Sequence, residues 1–417
     1  MKILYLHQYF NTPEMSGGTR SYEMARRLVA AGHEVHMVTS WRRPDKSSQD
    51  WFETNEAGIH VHWLPVPYSN HMSYGERIRA FFRFAHQAGK KAKELRGDIV
   101  FATSTPLTIA IPAVSAIKKL NIPMVFEVRD LWPELPIAIG ALTNPAMVWA
   151  AKKLERWAYK HSSAVVALSP GMKEGVIKAG YSQAQIATIP NSSDNVEFAY
   201  NETAAAEFRN QRFWLGDRPL LVYTGTFGKI NGVTYLAELA QALLAINPEI
   251  RILLVGGGRE DALLKSRATE LGVLDKNLFI EDRIPKKKMP AVLSAATMAC
   301  SLVIDMPEMR PNSANKFFDA LAAGKPIMIN YGGWQDELIN KHDCGISLWQ
   351  KPINEAALKL AEHITDKTWL QEAGNASRLL AEEYFDRDKL AAQLEQVLIA
   401  TAKGQGNQAQ SIAPGYY

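Results

Sequence analysis

The fold is decided by residues 1–39, MKILYLHQYFNTPEMSGGTRSYEMARRLVAAGHEVHMVT. An apolar run at residues 3–6 predicts a strand, the pair Gly17-Gly18 marks a turn, and apolar positions within residues 22–29 recur at the spacing of one helix face. A glycine ends that helix, and residues 34–39 predict a second strand. A strand, a glycine loop, a helix and a further strand make up a βα unit of a parallel sheet.

The same alternation continues along the chain in two series. The first adds predicted strands at 59–65, 98–102, 124–128 and 164–168, and the second has them at 220–223, 250–255, 278–280, 298–302 and 326–329. This order predicts an α/β fold of two Rossmann-like, doubly wound domains that face each other across a cleft. Ligands of such sheets bind at the carboxyl ends of the strands, so we expect the functional residues in the cleft.

We place the first domain at residues 1–198 and the second at residues 199–384. A helix at residues 385–403 is expected to pack back on the first domain. The segment 404–417 is rich in Gly, Gln and Ser, a composition that favours disorder.

Composition narrows the class of protein. With 417 residues, 47% hydrophobic residues, 22% charged residues and a net charge of +4, the chain is that of a globular protein with room for two cores. Two cysteines, Cys300 and Cys344, exclude a disulfide framework and a Cys-X-X-Cys metal site and suit a reducing compartment, so we expect a cytoplasmic location. No uninterrupted apolar stretch approaches the roughly 18 residues of a membrane span, and no nucleic-acid-binding module is present.

Two glycine loops are candidate phosphate sites. Gly17 and Gly18, followed by Arg20, leave backbone N–H groups accessible at a helix N-terminus, and Gly225 opens a second such loop that contains Lys229. The first loop lacks the G-x-G-x-x-G spacing, which disfavours a nicotinamide dinucleotide. Each loop could instead be a plain turn, and Lys229 a surface lysine.

The predicted helix after Ser313 carries Lys316 and Asp319 three residues apart. A carboxylate there can accept both hydroxyls of a ribose, while the lysine and the helix N-terminus meet the phosphates. Ser313 can cap the helix. The structural alternative is an exposed salt bridge worth about 0.2–0.5 kcal/mol.

A second cluster, residues 126–134, ends the strand predicted at 124–128 and includes Arg129, Asp130 and Glu134. Charges at that end of a strand lie in the cleft, which indicates a functional role for at least one of them. The alternative is a buried structural Arg–Asp pair.

Residues 76–96 predict an amphipathic helix with Ile78, Phe81 and Phe82 on one side and basic residues around the rest. Such a helix suits the surface of an anionic bilayer, or it packs on the sheet with a solvated basic face. A further basic and aromatic patch is predicted at residues 41–46 and at Trp51-Phe52.

In these motifs the sequence resembles the family-4 glycosyltransferases of the GT-B architecture over nearly its whole length. The shared features, in family order, are residues 7–10, 17–20, 32–35, 127–133, 189–191 with Asp194 and Phe198, and 319–326. Within the family the chain is most similar to the bacterial branch that builds O-antigen and capsule, including N-acetylfucosamine-type transferases.

The resemblance implies a retaining, metal-independent transfer that uses no cofactor. The substrate would be a nucleotide-diphosphate sugar, expected to be UDP-linked and an N-acetylated deoxysugar. The second domain would hold this donor. The first would hold a polyprenyl diphosphate-linked glycan as acceptor, at the inner face of the bacterial cytoplasmic membrane. Two alternatives remain open: a non-hydrolysing nucleotide-sugar epimerase, and a catalytically silent nucleotide-sugar-binding partner of an assembly complex.

Site residues follow from the motifs and the resemblance together. The expected catalytic residues are Arg129, Asp130, Lys229 and Lys316; the expected donor-binding residues are Gly17, Gly18, Gly225, Thr226, Lys229, Asn312, Asn315, Lys316 and Asp319; and the expected acceptor-binding residues are Arg20 and Glu134. The sequence departs from the family at three places. Pro311 stands at the first acidic position of the E-x7-E motif, Thr226 and Asn231 stand where an Arg and a Lys are usual, and Arg129 replaces the cleft histidine.

Overall fold

The computed structural model describes residues 1–15, 17–43, 50–67, 72–192 and 194–416, and within them the chain forms two separate sheets. The first has the strand order β3-β4-β2-β1-β5-β6-β7-β8 and the second β11-β10-β9-β12-β13-β14. All neighbouring strands are parallel except β3 and β4. The two doubly wound domains are those that the sequence predicts.

The first sheet is built from β1 (Lys2–Leu6), β2 (Glu34–Trp41), β3 (Phe52–Glu56), β4 (Ile59–Pro65), β5 (Ile99–Thr103), β6 (Met124–Val128), β7 (Ala164–Ala167) and β8 (Ile186–Thr188). Its helices are α1 (Arg20–Ala30), α2 (Tyr74–Leu95), α3 (Ala110–Leu120), α4 (Glu134–Ala138), α5 (Pro145–Lys160) and α6 (Pro170–Lys178). Helix starts follow local chemistry: Ser73 and Glu76 form a capping box on α2, and Asn144 caps α5 ahead of Pro145. Within the described ranges, no helix combines the length and apolar character needed to cross a bilayer.

The second sheet is built from β9 (Leu220–Thr226), β10 (Arg251–Gly257), β11 (Leu278–Glu281), β12 (Met298–Ser301), β13 (Ile327–Ile329) and β14 (Gly345–Ser347). Its helices are α7 (Glu202–Asn210), α8 (Tyr235–Ile246), α9 (Asp261–Glu270), α10 (Met289–Ala295), α11 (Asn315–Ala322), α12 (Trp334–His342), α13 (Ile353–Thr365) and α14 (Lys367–Tyr384). β3 and β14 are strands that the hydrophobic pattern did not predict, since β3 alternates half-buried and exposed residues at a sheet edge and β14 has three residues.

The strand orders place one glycine loop at the centre of each sheet. β1 lies between β2 and β5, and β9 between β10 and β12, so each sheet changes winding direction at these strands. Ligands of open α/β sheets bind at such switch points. The loop after β1 holds Gly17 and Gly18, and the end of β9 holds Gly225, so the two switch points face the same cleft.

The chain returns to the first domain after α14. In α15 (Arg387–Ala402), Leu390, Leu394, Val397 and Leu398 are buried in the apolar core of the first sheet. Residues 404–416 of the segment expected to be disordered are ordered instead. A short helix α16 (Ala409–Ile412) buries Ala409, and the Ala413 carbonyl accepts the Thr188 N–H beside β8, so small apolar residues give this polar segment a place to pack.

Candidate functional site

A cavity of about 520 Å³ lies between the domains where the two switch points meet. It brings together seven of the predicted donor-binding residues: Gly17, Gly18, Gly225, Thr226, Asn315, Lys316 and Asp319. Ile284, Lys286, Met289 and Arg387 also line it and were not predicted. The N-termini of α1 and α11 both border the cavity, so two helix dipoles favour an anion there.

Lys316 is the cation at the centre of this cavity. Its Nζ donates to the Tyr223 hydroxyl at 2.9 Å and to Asn231 Oδ1 at 3.4 Å, and it lies 4.3 Å from the centre of the Tyr223 ring. Burial lowers the pKa of Lys316 to about 8, because the ammonium loses hydration with no carboxylate beside it. A diphosphate in the cavity would supply the missing negative charge.

Asp319 is buried on the same helix but is paired differently from the prediction. Its carboxylate forms an ion pair through Oδ2 with Lys286, not with Lys316. Asp319 Oδ1 is buried and has no hydrogen-bond partner. A carboxylate oxygen left in this condition is costly unless a ligand donates to it, so Oδ1 is the Asp319 oxygen that lacks a donor.

The glycine loops let the two domains approach closely. A Cβ on Gly18 would lie 3.0 Å from Asn315 Nδ2 and 3.8 Å from Arg129 Nη2. Gly225 has a φ of +142°, and a Cβ there would lie 3.3 Å from Lys316 Nζ. These positions therefore need glycine for space, and at Gly225 for backbone conformation too. Ser16, at the start of the first loop, lies outside the described residues.

Arg129 and Asp130 lie at the carboxyl end of β6, on the first-domain side of the cleft. Arg129 Nη1 lies 3.3 Å from His7 Nε2, and burial together with Arg129 lowers the pKa of His7, so the neutral imidazole can accept from the guanidinium. Burial raises the pKa of Asp130 to about 6 although Arg129 opposes the shift. No ion pair joins Arg129 and Asp130 in the described part of the chain, so the structural Arg–Asp pair is not formed.

Arg20 is not free to bind an acceptor. The side chain is 4% exposed, and its Nε and Nη2 donate to Glu127 Oε1 at 3.0 and 2.8 Å. Its other donors bind the carbonyls of Pro190 and Ile189 at 2.6 and 3.0 Å. The prediction for Arg20 is wrong because the first turn of α1 points this side chain into the sheet, where it fixes the chain leaving β8.

Three other expected residues do not line this cavity. Lys229 is exposed at the start of a short 3₁₀ turn. Asn312 donates to the Met309 carbonyl at 2.8 Å, and its own carbonyl accepts from the Trp334 indole. Glu134 lines a different cavity of about 560 Å³ next to Glu155, whose pKa is raised to about 7 by burial and by Glu134. Lys229 and Asn312, expected to bind the donor, and Glu134, expected to bind the acceptor, are therefore not among the residues that line the cavity.

The family positions that depart from the usual motif have visible structural roles. The Pro311 carbonyl accepts the Ser169 hydroxyl at 2.6 Å across the domain interface, and a Cβ on Gly171 would meet the Pro311 ring. Ser313 does not cap α11, which begins after Ala314; its hydroxyl accepts the Asn191 N–H at 3.1 Å. Both residues thus join the domains.

Lys286 is one of the cavity residues that the sequence did not predict, and it contacts Asp319 directly. It belongs to the run Lys286-Lys287-Lys288 in the turn before α10. Three consecutive lysines usually indicate a solvated surface. Only the tertiary contact with Asp319 distinguishes Lys286 from the two lysines that follow it. The available signal was its position, six residues after a second-domain strand and therefore at the cleft edge.

Comparison with known proteins agrees with this architecture. Residues 17–192 match the glycosyl transferase 4-like domain, and residues 205–398 match the glycosyl transferases group 1 family. Together these matches span most of the chain, on a fold of the GT-B class. The protein therefore belongs to the GT-B glycosyltransferases, with a 4-like first domain and a group 1 second domain.

Individual relatives are distant. A glycosyl transferase of Escherichia coli strain K12 whose name assigns it to colanic acid biosynthesis, WcaI, is 22% identical over 299 residues, 67% of this chain and 71% of that protein. Sucrose-phosphate synthase from Thermosynechococcus elongatus superimposes with a TM-score of 0.77 at 17% identity, over 96% and 98% of the two chains. Anabaena HepE in complex with UDP and glucose gives 0.71 at 18%, over 96% and 100%. At such identities the structural likeness shows the fold alone.

Proposed function

We propose that this glycosyltransferase moves a sugar, with retention, from a UDP-linked donor to a polyprenyl diphosphate-linked glycan in the synthesis of a bacterial surface polysaccharide. The observation that carries the proposal is the cavity at the two switch points, where Lys316 and Asp319 lie on one helix facing two glycine loops. A cation and exposed backbone amides are the groups that a diphosphate requires, and a carboxylate is the group that the hydroxyls of a ribose require.

The donor would lie along α11. We assign the diphosphate to Lys316 and to the N–H groups near Gly17, Gly18 and Gly225, and the ribose to Asp319. We assign no donor contact to Lys229 in this arrangement, because its side chain is exposed and does not line the cavity. The sequence predicts that both Lys229 and Lys316 contact the donor phosphates, and we assign this contact to Lys316.

The chemical step would be a substitution on the face from which the diphosphate leaves, with a departing phosphate oxygen taking the acceptor's proton. Negative charge grows on that diphosphate in the transition state, so a fixed ammonium and backbone amides lower the barrier there. Lys316 is suited to this role because it lines the cavity and its ammonium is shielded from water, which strengthens its attraction for a diphosphate. No metal is required for this assignment of roles.

The acceptor would approach from the first domain. Arg129, 3.3 Å from His7, lies close to Gly18 and thus to the cavity, and can contact a donor phosphate or the acceptor. Asp130 is the carboxylate placed to accept from an acceptor hydroxyl, in place of Arg20 and Glu134. Replacing Arg129 with alanine without any effect on turnover would overturn its assignment.

The identity of the substrates is supported by relatives. Three of the matching solved structures contain UDP or UDP-glucose bound to Anabaena HepE, and one contains UDP-2-fluoro glucose. One relative is named for colanic acid biosynthesis, and a structural neighbour, WaaG, for lipopolysaccharide biosynthesis. We therefore favour a UDP-sugar, with an N-acetylated deoxysugar as the first to test.

We further propose a peripheral location on the inner face of the cytoplasmic membrane. On α2, Ile78 is 36% and Phe82 55% exposed, each next to an exposed arginine, Arg79 and Arg83 respectively. Phe84 is buried in the first core. The helix thus combines both readings of its sequence: one face packs and the other presents apolar and basic groups to an anionic surface. Of the second predicted patch, Pro44, Asp45 and Lys46 lie outside the described residues.

The first test is isothermal titration with UDP, GDP and ADP on the purified protein, using the Asp319→Ala variant and, as control, Asp261→Ala on the exposed face of α9. UDP should bind wild type and control and bind Asp319→Ala much more weakly. Mass spectrometry then follows transfer from UDP-sugars to a polyprenyl diphosphate-linked acceptor. Interconversion of UDP-sugars without acceptor would favour an epimerase, and UDP binding with no turnover a silent partner.

Membrane binding has its own test. Flotation with vesicles containing anionic phospholipid should carry the wild-type protein, and Phe82→Ser should reduce the bound fraction, whereas Phe213→Ser, at an exposed position of the second domain, should not. Equal flotation of all three would refute a role for α2.

A further inference from the structure

The contacts of Lys286 point to a role in the cavity beyond the family motifs. Its Nζ forms the ion pair with Asp319 Oδ2 and lies 4.6 Å from the centre of the Phe198 ring. The Lys286 side chain is 19% exposed and that of Asp319 10%, so both are largely shielded from water. An ammonium has three donors, of which Asp319 takes one. The face of Phe198 occupies a second side, which leaves a donor for a ligand.

The Asp319 carboxylate also has an oxygen without a hydrogen-bond partner. Asp319 Oδ2 is occupied by Lys286, while Oδ1 is buried without a partner. Asp319 and Lys286 both line the cavity, so a buried acceptor without a partner lies next to an ammonium with a donor to spare. Two adjacent hydroxyl groups complement such a pair, since one hydroxyl donates to the carboxylate and the oxygen of the other accepts from the ammonium.

We infer that Lys286 is a ribose-binding residue, and that Lys286 and Asp319 together recognise the cis-diol of the donor nucleotide. This inference rests on the proposed function, because it requires a nucleotide in the cavity. Lys286 also holds Asp319 in place, so that Oδ1 faces the ligand. Its neighbour Lys287 does not share this role: it is 58% exposed and pairs with Glu14 at 3.0 Å.

The test measures discrimination between two probes, UDP and 2′,3′-dideoxyuridine 5′-diphosphate, by titration calorimetry. Wild type should bind UDP at least about tenfold more tightly than the dideoxy probe, because hydrogen bonds to charged groups are lost. In Lys286→Met, UDP should weaken about tenfold while the dideoxy probe changes little, so the ratio falls towards one. Lys286→Arg should keep part of the discrimination, and Lys287→Met should match wild type.

Other outcomes overturn the inference. Equal weakening of both probes in Lys286→Met would mean that the lysine acts through its charge on the phosphates, or structurally. An unchanged ratio with unchanged affinity would mean that Asp319 recognises the ribose alone. Failure of the wild type to bind UDP would refute the proposed function itself, and the inference with it. Circular dichroism melts establish that each variant is folded, with Lys286→Arg as the milder change.

Discussion

Replacing Arg20 by methionine should destabilise the first domain more than any change at the protein surface. The guanidinium is 4% exposed and Glu127 fully buried, and they are joined by hydrogen bonds of 3.0 and 2.8 Å. After the change, Glu127 keeps only the Thr103 hydroxyl, at 2.5 Å, and the carbonyls of Ile189 and Pro190 lose their donors.

The expected loss of unfolding free energy comes from the buried charge of Glu127, which the change leaves unpaired. Removing one partner of a buried ion pair costs about 3–5 kcal/mol, because the other charge stays buried without compensation. For a domain of this size, each kcal/mol of lost unfolding free energy lowers the melting temperature by about 2–4 °C. The melting temperature should therefore fall by about 6–20 °C. Replacing both residues, Arg20→Met with Glu127→Met, should cost less than the sum of the single changes, since no unpaired charge remains.

Urea unfolding followed by circular dichroism measures the loss. The control is Arg218→Met, because Arg218 pairs with Glu249 at 2.7 Å but both are exposed, and such pairs contribute about 0–1 kcal/mol. A loss below about 1 kcal/mol for Arg20→Met, or strict additivity in the double variant, would refute the reasoning.

Three further outcomes are expected at the site. Lys316→Met should weaken UDP binding about tenfold or more in calorimetry, as expected for lost hydrogen bonds to a charged group. Because burial lowers the pKa of Lys316 to about 8, the ammonium is lost as the pH rises past that value, so wild-type UDP affinity should decline above about pH 8 and Lys316→Met should show no such decline. Burial raises the pKa of Asp130 to about 6, so turnover should rise as the pH increases through 6, and Asp130→Asn should abolish the rise and lower kcat/KM about tenfold or more. Gly225→Ala should cost about 1–2 kcal/mol of unfolding free energy, measured by urea titration, because its φ of +142° strains a side-chain-bearing residue.

The sequence was informative where one-dimensional order dictates three-dimensional position. Parallel strands bring their carboxyl ends to one edge of a sheet, so residues after β1, β9 and β12 had to meet in the cleft. That geometry is why Gly18, Gly225 and Lys316, far apart in the chain, line one cavity. The fold class could be predicted from the alternation of short apolar runs with amphipathic helices alone.

Side-chain direction and pairing were not predictable in the same way. Arg20 and Glu127 are 107 residues apart, and nothing local indicates that they bind each other instead of a substrate. Lys286 looks like Lys287 in sequence, and only the fold places one against Asp319 and the other against Glu14. The segment after residue 404 has the composition of a disordered tail, yet Ala409 and Ala413 fit a gap beside β8.

The return of α15 to the first domain has a consequence for how the protein is made. The first sheet is translated early, but its apolar core includes Leu394 and Leu398, which leave the ribosome only after the whole second domain. The domain that is begun first is therefore completed last. During synthesis, residues 1–198 must persist with an uncovered apolar face, whereas the second sheet and its helices are complete by Tyr384.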